Sequence, residues 1–190
     1  MFLINGLVAL LASNLILSQA LGTSTLFIAA GSKKNLIGTA TVITIFTTLG
    51  SASAYLINQI FGEKYSDFTL LFYTLAVGIL YIAILIVFYL INKNAFEKTK
   101  KYIHISAFNC AVMGTLFTIS GNEAVSAEKY TFIDYLSCGF EAGIGFIIAA
   151  LILTAAFRKL NSSKVPTSFR GFPAMLVYLG IISMAVYSLK

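Results

Sequence analysis

The chain has 190 residues, of which 58% are hydrophobic and only 11% charged, with a mean hydropathy of +0.90 and a net charge of +6. A soluble domain carries about twice that charge fraction, so the composition excludes a soluble enzyme or binding module and indicates one polytopic membrane domain over 1–190. The basic excess does not read as a nucleic-acid surface, because Lys and Arg flank the apolar runs, as membrane topology requires.

Apolar runs fall at about 2–30, 36–61, 68–92, 102–120, 132–157 and 172–189. Each is near or above the ~20 residues a helix needs to cross a bilayer, so six transmembrane helices are predicted. The first run lacks a positive n-region and a small-residue cleavage site, and it reads as a span rather than a leader. Its middle is polar: Ser13, Asn14, Ser18 and Gln19, then Gly22, Thr23, Ser24 and Thr25. A straight lipid-facing helix would not carry that cluster, whereas a helix broken near the midplane and covered by protein would.

Lys33 and Lys34 mark the first connection, Glu63, Lys64 and Asp67 the second, and Lys93, Glu97, Lys98, Lys100 and Lys101 the third. The fourth run holds Asn109, Cys110 and Gly114 in its middle, a second polar interruption. Glu123, Glu128 and Lys129 form the fourth connection, and Arg158, Lys159, Lys164 and Arg170 lie in the fifth. Connections one, three and five therefore hold ten basic residues, while two and four hold Lys64 and Lys129 alone. The positive-inside rule puts the odd connections in the cytoplasm and both termini outside.

Runs one and four each begin a three-span half, about 1–95 and 101–190. Three crossings is an odd number, so a repeat of this unit must be inverted in the membrane. "LGTSTLF" and "VMGTLFT" give a faint echo between the halves. Two ordinary packing helices with small residues at their contact are the other reading.

No phosphate-cradling glycine loop, metal-spaced Cys or His pair, or nucleophile elbow is present. Glu141, in "CGFEAGIGF", is the one acid clearly inside a span. It is either a cation or proton site, or a carboxyl that snorkels to the outer interface or bonds a neighbouring helix. Gly139, Gly143 and Gly145 beside it allow close helix approach. Cys138 reads as a buried thiol. It is separated from Cys110 by ~12 Å in depth on straight helices, beyond disulfide reach. His104, the only histidine, reads as interfacial and on a regular helix faces away from Cys110.

"NCAVMG", residues 109–114, resembles the Asn-Cys-Ala motif of the A-type subunits of Rnf/Rsx electron-transport complexes. These are homologous to the E-type subunits of the sodium-pumping NADH:quinone reductases. "NLILSQALG" is similar to the family's first-span motif, "SKK" to its first cytoplasmic connection and "GFEAGIGF" to the start of its fifth span. "VPTSFRGFPAMLVYLGIISMA" is similar to its last connection and sixth span. The likeness covers nearly the whole chain.

This resemblance implies an all-α membrane protein of six helices in two inverted three-helix repeats, with spans one and four broken. It implies pairing with an oppositely oriented homologous subunit, the two sharing one [2Fe-2S] cluster. By the same resemblance Cys110 is a cluster ligand, and Asn109, Gly22 and Gly114 support the site. Ser24 stands where the family has its first-span cysteine, His104 where it has a proline, and Glu141 where it has a small residue. The function implied is that of a membrane subunit of an ion-translocating, ferredoxin- or NADH-linked redox complex in a bacterial or archaeal cytoplasmic membrane. It would relay electrons and bind no nucleotide itself. The residues alone also fit a small inverted-repeat transporter using Glu141, or a metal-free structural subunit.

Overall fold

The computed structural model describes residues 14–61, 68–91, 93–126 and 129–188. Residues 2–13 of the first run, together with Glu63, Lys64, Asp67, Glu128 and Lys190, lie outside them. Regular structure among the described residues is helical throughout: α1 (Leu15–Gln19), α2 (Thr23–Ala30), α3 (Lys33–Phe61), α4 (Thr69–Ile91), α5 (Lys93–Ala107), α6 (Cys110–Val125), α7 (Phe132–Leu160) and α8 (Phe172–Tyr187).

Helices α3, α4 and α7 are each long and apolar enough to cross a bilayer, and α5 with α6, bent by 48°, makes a fourth candidate. The 16 residues of α8 reach only ~24 Å, and α1 and α2 are shorter. By length alone, the described residues therefore carry three or four crossings where the sequence predicts six.

The centre of the molecule is the antiparallel pair α3 and α7. Small residues let them approach: Gly139 lies against Thr47 and Ser51, and Gly143 against Thr44. The α3 hydroxyls do not sit unpaired at this contact. Thr44, Thr47 and Ser51 donate to the carbonyls of Ala40, Ile43 and Thr47 at 2.8, 3.0 and 2.7 Å, so a polar side chain is carried in an apolar setting with its donor satisfied. One hydrophobic cluster joins α1, α2 and α8 to this pair, and a second joins α4, α5 and α6 to it. The outer face of α4 leaves Leu71, Leu75, Ile79, Ile82, Ile86 and Leu90 exposed, a surface suited to lipid rather than water.

A polar knot ties α3, α4, α6 and α7 together. The Asn58 amide donates to Ser120 Oγ (2.9 Å) and Tyr135 OH (2.7 Å), and Tyr73 OH donates to Asn58 Oδ1 (2.8 Å). Tyr135 OH in turn donates to the Glu123 carboxylate, which also accepts the Tyr130 N–H at 3.2 Å. Both Tyr73 and Tyr135 are fully buried. An Asn58→Leu chain would leave three hydroxyls without their amide and should lose ~2–4 kcal/mol of stability. Thermal unfolding in mild detergent measures this, and an unchanged midpoint would show the knot to be dispensable.

Glu123 lies in the last turn of α6, three residues beyond the predicted end of the fourth span. Helix α5 likewise begins at Lys93, nine residues before the predicted start of the fourth span. Its charged first half is helical because Lys and Glu are good helix formers, and Glu97 and Lys100 pair at 2.8 Å.

Candidate functional site

Two helix breaks meet inside the molecule. The first lies between α1 and α2. Asn14 caps α1, its Oδ1 accepting from the Ile16 and Leu17 amides at 3.0 and 3.4 Å, while its Nδ2 donates to the Gly145 carbonyl on α7 at 2.7 Å. Ala20 ends α1 at φ 56°, and Gly22 opens α2 at φ 78°. Both are left-handed conformations; only glycine adopts them without steric cost.

The second break is at Phe108 and Asn109. Asn109 is extended and caps α6, its Oδ1 accepting from Ala111 N at 3.0 Å. These caps supply acceptors for helix-end amides that lipid could not satisfy.

Gly22 abuts the second break. A Cβ on Gly22 would stand 2.7 Å from Ala111 Cβ and 3.0 Å from Asn109 Oδ1. Leu21 of the first break packs into the space left by the absent side chain of Gly114. Four of the residues singled out from the sequence, Gly22, Asn109, Cys110 and Gly114, thus gather at one junction. Cys110 is the first residue of α6 and is an exposed free thiol. Ser24 is the second residue of α2 and is exposed. Asn109 is 5% exposed, and its Nδ2 is a buried donor with no acceptor among the described residues. The echo between "LGTSTLF" and "VMGTLFT" does not align the breaks: Gly22 caps a helix, whereas Gly114 sits inside α6.

Glu141 lies nine residues into α7, or ~14 Å along it. It is not at the junction itself. It lines a cavity of about 190 Å³ between α1, α6 and α7 that also touches Asn14, Thr118, Asn122 and Cys138. The inner end of this cavity reaches Ala111, next to Cys110. Both cysteines are free. His104 Nδ1 is 2.7 Å from Tyr81 OH, and α5 ends at Ala107. The regular helix assumed in relating His104 to Cys110 is therefore interrupted between them. No group of three or more His, Cys, Asp or Glu side chains capable of holding a metal occurs among the described residues.

The sequence alone does not single out Asn14, Thr118 or Asn122 as site residues. Asn14 carries a readable signal: like Asn109, it is an asparagine directly before an apolar stretch, the position of a helix cap. Ala111, Thr115, Thr118 and Asn122 recur at helical spacing, which places them along one face of α6.

A model of the Rnf-Nqr subunit family of membrane proteins matches residues 3–190. The chain is 29% identical over 181 residues to the A-type subunit of the ion-translocating oxidoreductase complex of Shewanella sediminis, covering 92% of this chain and 89% of that protein. It is 28% identical over 183 residues to the protein of the same name from Aeromonas salmonicida, covering 92% and 89%. To the A-type subunit of the Na(+)-translocating ferredoxin:NAD(+) oxidoreductase complex of Acetobacterium woodii it is 27% identical over 183 residues, covering 93% and 90%.

Proposed function

Because the chain belongs to the Rnf-Nqr family of membrane subunits, we propose that it is the A-type subunit of an ion-translocating redox complex. It relays electrons across the membrane through a [2Fe-2S] centre shared with an oppositely oriented homologous subunit. The observation that carries this reading is the junction of two helix breaks, with Gly22 of one against Asn109 and Ala111 of the other.

The junction residues fit half of such a centre. Iron–sulfur clusters are normally held by four thiolates, and this chain offers one thiol at the junction, Cys110, and one hydroxyl, Ser24. A second subunit supplies the rest. When bound, the cluster supplies one-electron transfer. The Asn109 Nδ2 donor, buried without an acceptor among the described residues, suits an electron-rich sulfur neighbour. The starts of α2 and α6 bring the positive ends of two helix dipoles to the same place, which favours an anionic group. Gly22 lets the two breaks close against each other.

Six spans in two inverted halves, with both termini outside, complete the reading. In support, α3 and α7 have 29 residues each, run antiparallel, and each follows a broken helix and precedes a single apolar one. A reporter fused after Lys34, Lys101 or Lys164 should be cytoplasmic, and one after Gly62 or Asn122 external. A cytoplasmic signal after Asn122 would overturn the arrangement.

The function is tested by tagging the chain in its native membranes. Flavoprotein and iron–sulfur partners should co-purify, with iron, acid-labile sulfide and a [2Fe-2S] electron paramagnetic resonance signal on reduction. A chain that purifies alone and iron-free would refute the redox reading.

A further inference from the structure

Helices α4 and α5 form an antiparallel hairpin whose register is fixed at two points. His104 Nδ1 is 2.7 Å from Tyr81 OH, and the Tyr89 and Phe96 rings meet edge to face with centroids 5.7 Å apart. Each step along α5 therefore matches one step back along α4, and Lys98 and Lys101 stand level with Val87 and Ile84. Those levels lie about one and two turns short of Ile91, where α4 ends. The lysines thus share their depth with an apolar wall. Ile82, Ile86, Val87 and Leu90 of α4 are exposed there, and so are Lys93, Glu97, Lys98 and Lys101 along one side of α5. The other side of α5 packs inward, with Ile103, Ser106 and Ala107 buried.

We infer that this hairpin binds an anionic phospholipid, its phosphate held by Lys98 and Lys101 and an acyl chain lying along Ile82, Ile86 and Leu90 of α4. Water would leave the α4 wall unburied, and acyl chains alone would leave the ammonium groups unsolvated. One bilayer lipid supplies both halves, because lysine stems can lie along apolar surface while their ammonium groups reach the headgroup. An acidic soluble protein would match the lysines but leave Ile86 and Leu90 bare.

Charge selects the headgroup. Helix α5 carries four lysines against one glutamate, and Glu97 is already engaged by Lys100 at 2.8 Å. Tyr102 OH donates to Asn35 Oδ1 at 3.2 Å, which joins α5 to the start of α3, where Lys33 and Lys34 add charge of the same sign. Lys93 lies 5.3 Å over the Tyr89 ring and Lys100 5.9 Å over the Phe96 ring, so aromatic faces hold two of the cations at the rim of the wall. A zwitterionic headgroup would bring its own cation against this set, whereas phosphatidylglycerol brings the phosphate charge alone. Basic clusters at the end of a span attract anionic lipid in this way. Lipid binding here requires no electron flow, so it stands or falls apart from the redox reading.

The purified complex, reconstituted in phosphatidylcholine vesicles, is irradiated with a trace of phosphatidylglycerol bearing a diazirine on its acyl chain, and labelled peptides are quantified by mass spectrometry. The same diazirine on phosphatidylcholine is the comparison. The phosphatidylglycerol probe should label the α4–α5 hairpin strongly and the phosphatidylcholine probe weakly. Both should label the exposed apolar face of α8 at Ile181 and Met184 equally. Lys101→Gln should lower hairpin labelling about fivefold, and the Lys98→Gln, Lys101→Gln double roughly twenty-fivefold, with α8 labelling unchanged. The Lys98→Arg, Lys101→Arg double should keep it. Equal hairpin labelling by the two probes in the wild type overturns the site without recourse to any variant, as does full labelling of the double glutamine chain. A hairpin labelled by neither probe, beside a labelled α8, overturns it too and assigns this face to a protein subunit.

Discussion

Gly143→Ala and Gly139→Ala chains should each lose about 2–3 kcal/mol of stability, although each adds only one methyl group. At Gly143 a Cβ would stand 2.8 Å from Thr44 Cα, and at Gly139 2.6 Å from the Thr47 carbonyl oxygen. Both neighbours are backbone atoms of α3, so no rotamer change relieves the overlap; the central helix pair has to separate. The double substitution should cost less than the sum, because one separation accommodates both methyl groups. Gly121→Ala is the control. It too lies within a helix, but a Cβ there meets nothing within 4 Å. It should be neutral or gain up to ~1 kcal/mol from the better helix former. Thermal loss of monodispersity in mild detergent ranks the four chains. Equal behaviour of Gly143→Ala and Gly121→Ala would mean that close α3–α7 contact is not what holds the molecule together.

The long helices are legible in the sequence because run length alone identifies them. The predicted runs 36–61, 68–92 and 132–157 correspond to α3, α4 and α7 within about three residues at each end. Extra turns appear where the sequence carries Lys33, Lys34 and Lys159, since long basic side chains allow a helix to continue into the interface. The same charge misleads at α5. A run of lysines there reads as a connection, although Lys and Glu favour helix. Glu123 falls in the last turn of α6, and its carboxylate is held by Tyr135, twelve residues away. That contact is tertiary, and no local pattern announces it.

The site is legible as composition and not as geometry. Polar residues inside runs one and four signal interruption, because lipid cannot satisfy a free backbone amide. They do not reveal that the turn falls at Gly22, or that Gly114 is interior to a helix. The meeting of Gly22 with Ala111 spans 89 positions in the chain, and only packing shows it. The cavity is hidden for the same reason. From sequence, Glu141 fits a functional or a snorkelling carboxyl equally well, and only packing shows that it lines one space with Thr118 and Asn122 of α6.

A Cys110→Ala chain should assemble normally, lose the [2Fe-2S] resonance and reduce ferredoxin- or NADH-linked electron flow to background. The separation of the two effects follows from exposure. The Cys110 side chain is exposed in the chain, so its removal leaves no internal cavity and should change stability by no more than ~0.5 kcal/mol. The α6 cap survives as well, because it is made by Asn109. The only thing lost is the thiol, the one cysteine at the junction among the described residues. Ser24 supplies the complementary measurement. A serine oxygen must lose a far less acidic proton than a thiol before it binds iron strongly, so the wild-type centre should be labile. Ser24→Cys should retain iron through a chelator wash that strips the wild type, and Ser24→Ala should lose it sooner. If Cys110→Ala keeps both its iron and its electron flow, the junction holds no cluster. The gathered breaks then serve only to pack the chain against its partners.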